Sequence, residues 1–207
     1  MSKATFSKKE AIKFGFKISK SNILFFIGVL VIVVFVSAVT SILRNAVQKQ
    51  VLANLILNII QYLVNAVVAM GLIKISLEFL DKAKPKIRDI FYYKPVVSYT
   101  VASIINTILI IAGIIFLIVP GIIFAVRLQY TTYLIVDKNL GPIEAIKKSW
   151  NITRENTWNL FFFGILLGLI NILGALCLLV GLFITVPLGM IATTSVYRKL
   201  LLQSEAA

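Results

Sequence analysis

Four side-chain amides, Asn54, Asn58, Gln61 and Asn65, recur at spacings of four, three and four. At 3.6 residues per turn that spacing draws one stripe down a helix. An amide carries donors and an acceptor, so the stripe could join helices or line a polar path. Hydrogen bonds between membrane helices contribute about 0.6 kcal/mol each. A path would instead serve a solute or a lipid headgroup. A single cation, Arg127, stands inside the otherwise uncharged apolar run 122–136. Its guanidinium cannot be neutralised. A charge at mid-membrane costs at least about 2.5 kcal/mol, so Arg127 needs a polar partner, water or a phosphate. Gln129 and Tyr130 are close in sequence, and Asn106 in the preceding run is a cross-helix candidate. Snorkelling to the nearer interface is the alternative.

Other chemistry is lacking. Histidine is absent, which removes the commonest general base and metal ligand. The lone cysteine, Cys177, excludes a disulfide within the chain and argues against a cysteine-based zinc site. The expectation is therefore no catalytic residue, no metal and no cofactor.

The elements that must position these residues follow from composition. Of 207 residues 59% are hydrophobic and 14% charged, with mean hydropathy +0.97. Soluble domains carry about 25% charge, so a bilayer must solvate much of this chain. A crossing needs about 20 apolar residues. Runs at 22–43, 51–73, 96–118 and 122–136 read as four crossings, with Pro120-Gly121 turning the chain between the third and fourth. The stretch 159–201 suits two more, with a turn near Gly181. The expected fold is all-α: a polytopic membrane protein of six transmembrane helices in three hairpins. Residues 1–21 form a cytoplasmic N-terminal helix and 22–207 the membrane domain. A short surface helix is expected at 87–93.

The net charge of +13 could suggest nucleic acid, but its distribution suggests membrane topology instead. With the N-terminus inside, eighteen basic residues fall on the cytoplasmic side. Only Arg44 and Lys49 fall outside. That asymmetry follows the positive-inside rule. It implies a bacterial-type plasma membrane with both termini cytoplasmic, and no nucleic-acid partner.

The first 20 residues are expected to be an amphipathic helix rather than a cleaved signal. Ser7 and Glu10 have the spacing of a capping box. Lys9, Lys13, Lys17 and Lys20 share one face, while Ile12, Phe14, Phe16 and Ile18 spread around the other side. Such a helix can lie in the interface, its lysines near anionic headgroups. The pattern returns 134 residues later. Residues 10–22 read EAIKFGFKISKSN and residues 144–156 read EAIKKSWNITREN, identical at six of thirteen positions. Runs containing FFIG and FFFG follow, and the pattern FxxVP recurs at 116–120 and 183–187. The segment 87–95 reads as a degenerate third copy. Copies separated by an even number of crossings share orientation, which places their symmetry axis along the membrane normal.

Residues 120–158 carry a further pattern: Pro120-Gly121, then Asp137, then Glu144-Ala145-Ile146-Lys147-Lys148-Ser149-Trp150. This region resembles the membrane domain of the glycerophosphoryl diester phosphodiesterase family and its six-helix inner-membrane relatives. The resemblance implies a fold and a membrane address. In some relatives a soluble phosphodiesterase domain follows, but none lies within these 207 residues, and the residues for hydrolysis are missing. Glu144 and Lys148 are expected to pair at i,i+4 for a few tenths of a kcal/mol, and Trp150 suits the headgroup zone.

Two functional readings follow. One is a non-catalytic, lipid-associated scaffold or accessory membrane protein, with anionic inner-leaflet lipids as partners and a membrane-protein partner or second copy as a further one. The other is a small transporter or channel whose path is lined by the stripe and Arg127.

Overall fold

The computed structural model describes residues 6–46, 50–177 and 180–206. Lys49 and the side chain of Arg44, two of the charges used to orient the chain, lie outside the described residues. The described residues are helical, without strands: α1 (Lys8–Ser21), α2 (Ile23–Ala46), α3 (Val51–Leu80), a short 3-10 helix (Ile87–Phe91), α4 (Val96–Phe116), α5 (Ile118–Leu128), α6 (Thr131–Lys138), α7 (Pro142–Thr153), α8 (Thr157–Leu176) and α9 (Leu182–Glu205). A 3-10 turn, Arg154–Asn156, links α7 to α8.

Among the described residues five stretches are long and apolar enough to cross a membrane: Ile23–Leu43, Val51–Leu80, Val96–Phe116, Ile118–Lys138 and Pro142–Leu176. α9 is not among them, since Arg198 and Lys199 interrupt its second half. Yet α9 is well enclosed, touching α1, α2, α3, α7 and α8. Leu188, Ile191, Ala192, Val196, Tyr197, Leu200 and Leu201 are all buried along it.

Two boundaries differ from the sequence expectation. α3 continues two turns past Ile73, because Lys74 is neutralised in place by Glu78 and Asp89, each 3.7 Å away. The chain turns at Leu117, whose backbone is extended, and not at Pro120-Gly121. Pro120 sits instead in the first turn of α5, where its missing N–H has no helical acceptor to lose. Gly121 is a contact residue: a Cβ there would stand 2.8 Å from the Ile114 backbone nitrogen on α4.

The helices contact one another in a cyclic order. The 3-10 helix packs on α3, α7 packs on α5 and α6, and α1 packs on α9. Each of these short segments therefore lies against the helix or helix pair that ends the preceding hairpin, and α1 closes the circle. The first helix of each hairpin follows the same rule. α4 touches α3, α8 touches α5, and α2 touches α9, each in addition to its own hairpin partner. At the ends of α3, α6 and α9 one side chain joins all three: Arg198 reaches Asp137 at 2.9 Å and Asp81 at 2.8 Å. Tyr197 donates its phenolic hydrogen to the same Asp137 oxygen at 2.8 Å.

α1 docks by its small residues. Ala11, Gly15 and Ser19 are buried, one turn apart, against α9. A Cβ on Gly15 would stand 2.5 Å from the Leu188 carbonyl oxygen, so glycine permits the close approach. Small residues at every fourth position are the usual means of bringing two membrane helices into contact. Lys9, Lys13, Lys17 and Lys20 face outward together with Phe14 and Phe16. Only half of the expected capping box forms. The Ser7 hydroxyl accepts from the Glu10 N–H at 3.3 Å, while the Glu10 carboxylate pairs with Lys199 at 3.1 Å.

Candidate functional site

The polar chemistry of the chain gathers where one membrane stretch is broken. α5 ends at Leu128 and α6 begins at Thr131, so Gln129 and Tyr130 interrupt the helix inside an apolar span. Broken backbone in a membrane is tolerated when neighbouring side chains satisfy the freed groups. Three consecutive carbonyls receive side-chain donors here. Gln129 Nε2 donates to Val126 O at 2.9 Å. Ser149 Oγ donates to Arg127 O at 2.7 Å, and Thr153 Oγ1 is 3.2 Å from the same oxygen. Asn106 Nδ2 reaches Leu128 O at 3.5 Å. A threonine hydroxyl donates one hydrogen, and Thr153 also has Ser149 O at 2.7 Å. Ser149 is therefore the principal cap of Arg127 O.

Arg127 itself finds neither Asn106, Gln129 nor Tyr130. Asn106 and Gln129 are engaged by backbone carbonyls, and Tyr130 is fully buried against Tyr133 and Tyr197. Arg127 instead turns toward α7 and α8. Its guanidinium lies 4.5 Å over the Trp150 ring, and Nε donates to Thr157 Oγ1 at 3.2 Å. Trp150 in turn leans on Phe124, ring centroids 5.5 Å apart. Such a cation–π contact contributes about 0.5–2 kcal/mol, depending on desolvation. Among the described residues no carboxylate pairs with Arg127. Ser149, Thr153 and Thr157 recur every four residues through the α7–α8 junction, and all three are buried. This hydroxyl ladder, not the amide stripe, holds the broken helix. Its spacing is visible in the sequence and went unread there.

Two hollows flank this stack. One, about 340 Å3, is lined by Arg127, Arg154, Glu155, Thr157, Trp158 and Asn159. The other, about 390 Å3, is mostly apolar: Leu109, Phe124, Leu128, Ile146 and Trp150 line it together with Lys147 and Asn151.

The remaining predicted residues lie elsewhere. On α3 the amides bond along their own helix: Asn58 Nδ2 to Asn54 Oδ1 at 3.2 Å, and Gln61 Nε2 to Asn65 Oδ1 at 3.3 Å. Asn58 and Asn65 are exposed and Asn54 and Gln61 half-buried, and none of the four is hydrogen-bonded to Arg127. Lys148 does not pair with Glu144. It reaches Glu205 at the end of α9, 3.6 Å away, because α9 ends beside α7. Trp150 is where the motif predicts an aromatic, but its role is to carry Arg127. The Asp81–Arg198–Asp137 junction was not foreseen. Its members lie far apart in sequence, and no spacing connects them. Among the described residues no group of three or more His, Cys, Asp or Glu could hold a metal.

Among known proteins, the family described as a domain of unknown function, DUF7847, matches residues 23–204. No curated protein and no solved structure matches the chain.

Proposed function

We propose that this chain, which belongs to the DUF7847 family, is a non-catalytic, lipid-associated scaffold of a bacterial-type plasma membrane, crossing the bilayer six times with both termini in the cytoplasm. The sixth crossing is α9. Its burial in the bundle supports this reading: Thr194 and Tyr197 are enclosed, and Arg198 is paired with Asp81 and Asp137. The cyclic contact order supports three repeated units, each a short amphipathic segment followed by a hairpin. The 3-10 helix is then the third copy, reduced to five residues. The likeness of residues 120–158 to the glycerophosphoryl diester phosphodiesterase membrane domain fits the same architecture and transfers no activity.

One observation carries the scaffold reading over the transporter: the amides of α3 bond to one another along their own helix, while Arg127 turns to Trp150 and Thr157, so the stripe and Arg127 do not line one path. A path lined by both would need them on one wall. Asn58 and Asn65, the exposed half of the stripe, are suited instead to a second membrane helix, from another copy or another protein. Unsatisfied amides are costly in lipid and gain from interhelical hydrogen bonds. The lysine face of α1 lies over the inner leaflet, where each basic residue contributes about 1 kcal/mol to anionic-lipid attraction.

Two measurements test this. Reporter fusions after Lys20, within 82–94, within 138–155 and at the C-terminus should all read cytoplasmic, and a clear external signal at any of them overturns the topology. Purified chain in liposomes should show no solute or ion flux. Flux that disappears in the Asn58→Leu, Gln61→Leu double variant overturns the scaffold in favour of the transporter.

A further inference from the structure

Arg127 is a permanent cation inside an apolar span, and among the described residues it has an aromatic ring and one hydroxyl but no anion. Only Nε is engaged, by Thr157, so among the described residues the two terminal nitrogens have no protein partner. They belong to a side chain that lines the 340 Å3 hollow, whose wall also holds Arg154. Arg154 makes no ion pair among the described residues. With Glu155 as the one carboxylate on that wall, two guanidiniums leave the hollow net positive. Asn159 and the exposed Trp158 stand at the same site. A guanidinium fork matches a phosphate through two parallel N–H···O bonds, which a lysine cannot reproduce. The Trp150 ring also lines the mostly apolar hollow between α4, α5 and α7.

We propose that Arg127 and Arg154 form a binding site for the phosphate of an anionic membrane phospholipid, with the apolar hollow beside Trp150 taking part of an acyl chain. The site rests on the lipid-associated reading above and narrows it from a general attraction to one defined place. Trp150 is a positioning residue: stacking holds the Arg127 guanidinium still, so that less freedom is lost when the phosphate arrives. The shared chemistry of candidate ligands is a phosphate group. The membrane source is favoured because the wall joins Arg127 and Trp158, from membrane-spanning stretches, to Arg154 and Glu155 at the cytoplasmic end, the level at which headgroups lie.

The test uses the full chain in nanodiscs of mixed phosphatidylglycerol and phosphatidylcholine. Lipid retained after transfer to detergent is counted by native mass spectrometry. Wild type should retain phosphatidylglycerol over phosphatidylcholine. Arg127→Gln and Arg154→Gln should each lower that retention about tenfold, the loss of a hydrogen bond to a charged group. Arg127→Lys should recover only part of it. Arg154 is exposed, so its variant separates binding from folding, and thermal unfolding of each variant checks the fold. If wild type retains no excess of phosphatidylglycerol, the lipid-associated reading itself fails. If wild type retains it and both Gln variants retain it equally, that reading stands and this site is wrong. In a second arm, inorganic phosphate alone is added to lipid-free micelles. Thermal stabilisation equal to that given by phosphatidylglycerol would overturn the lipid assignment in favour of a soluble anion.

Discussion

α1 and α7 carry nearly the same motif and dock in different ways. Both bury one face at every fourth residue, Ala11, Gly15 and Ser19 in α1 and Ala145, Ser149 and Thr153 in α7. These are the same positions of the two copies, 134 residues apart. α1 meets α9, whose helix is continuous, and Gly15 allows the backbones to touch. α7 meets α5–α6, whose helix is broken, and at the position of Gly15 it has a serine that caps a carbonyl. The partner helices match as well. Residues 116–138 and 183–205 align at an offset of 67, half of 134, with Phe116/Phe183, Val119/Val186, Pro120/Pro187, Ala125/Ala192, Tyr130/Tyr197 and Leu134/Leu201 identical. The Tyr130 and Tyr197 rings touch, with centroids 5.6 Å apart. The difference teaches that the small residue on a docking face is set by the state of the backbone it meets. An unbroken helix needs only room, and a broken one needs a donor.

Three variants, two of them double, probe that comparison, and the largest effect is expected in α1. Gly15→Leu must push α1 off the Leu188 carbonyl, because backbone rather than a flexible side chain is in the way. A loss of about 3 kcal/mol is expected for such overpacking, read as earlier unfolding in detergent. An unchanged midpoint would mean that α1 is not docked on α9. Second is the pair Ser149→Ala and Thr153→Ala. Together they leave Arg127 O without its side-chain donors, which should cost about 1–3 kcal/mol. Ser149→Ala alone should cost less, since Thr153 can turn to the same oxygen. Equal losses for single and double variants would show that Thr153 does not share the cap. The smallest effect is expected away from both motifs. Asn58→Leu with Gln61→Leu removes only contacts between neighbours on the exposed face of α3. Monomer stability should change by less than about 0.5 kcal/mol, while any association through that face weakens. A large loss of monomer stability would mean that Asn58 and Gln61 are held by the bundle and not only by their neighbours on α3.

The stripe and the ladder also show how far the sequence could be read. Asn54, Asn58, Gln61 and Asn65 were recognised from spacing alone, and the spacing did place them on one face of α3. Whether that face meets protein is a question about other helices, and spacing carries no answer to it. Ser149, Thr153 and Thr157 have equally regular spacing, but short hydroxyl residues are common in membrane helices. Nothing local revealed that a broken helix waits opposite them. Arg127 was singled out because a lone charge in an apolar run is conspicuous, yet its partners proved to be Trp150 and Thr157, 23 and 30 residues away. The turn was misplaced by three residues because a Pro-Gly pair marks both turns and the first turn of a helix.

By itself the sequence determined the helical class, the apolar stretches, the amphipathic α1 and α7, and the kinship of their motifs. These follow from composition and from periodicity within single elements, and desolvation of the backbone in lipid leaves helices as the only structure those stretches can form. Only the tertiary structure decided that α9 packs among five other helices, that Arg198 joins α3, α6 and α9, that Ser149 caps the break and that the stripe is bonded along its own helix, away from Arg127. Each of these depends on which residues meet across dozens of positions of chain. Such meetings are settled by small differences in packing and hydrogen bonding among helices that already exist, and no local pattern encodes them.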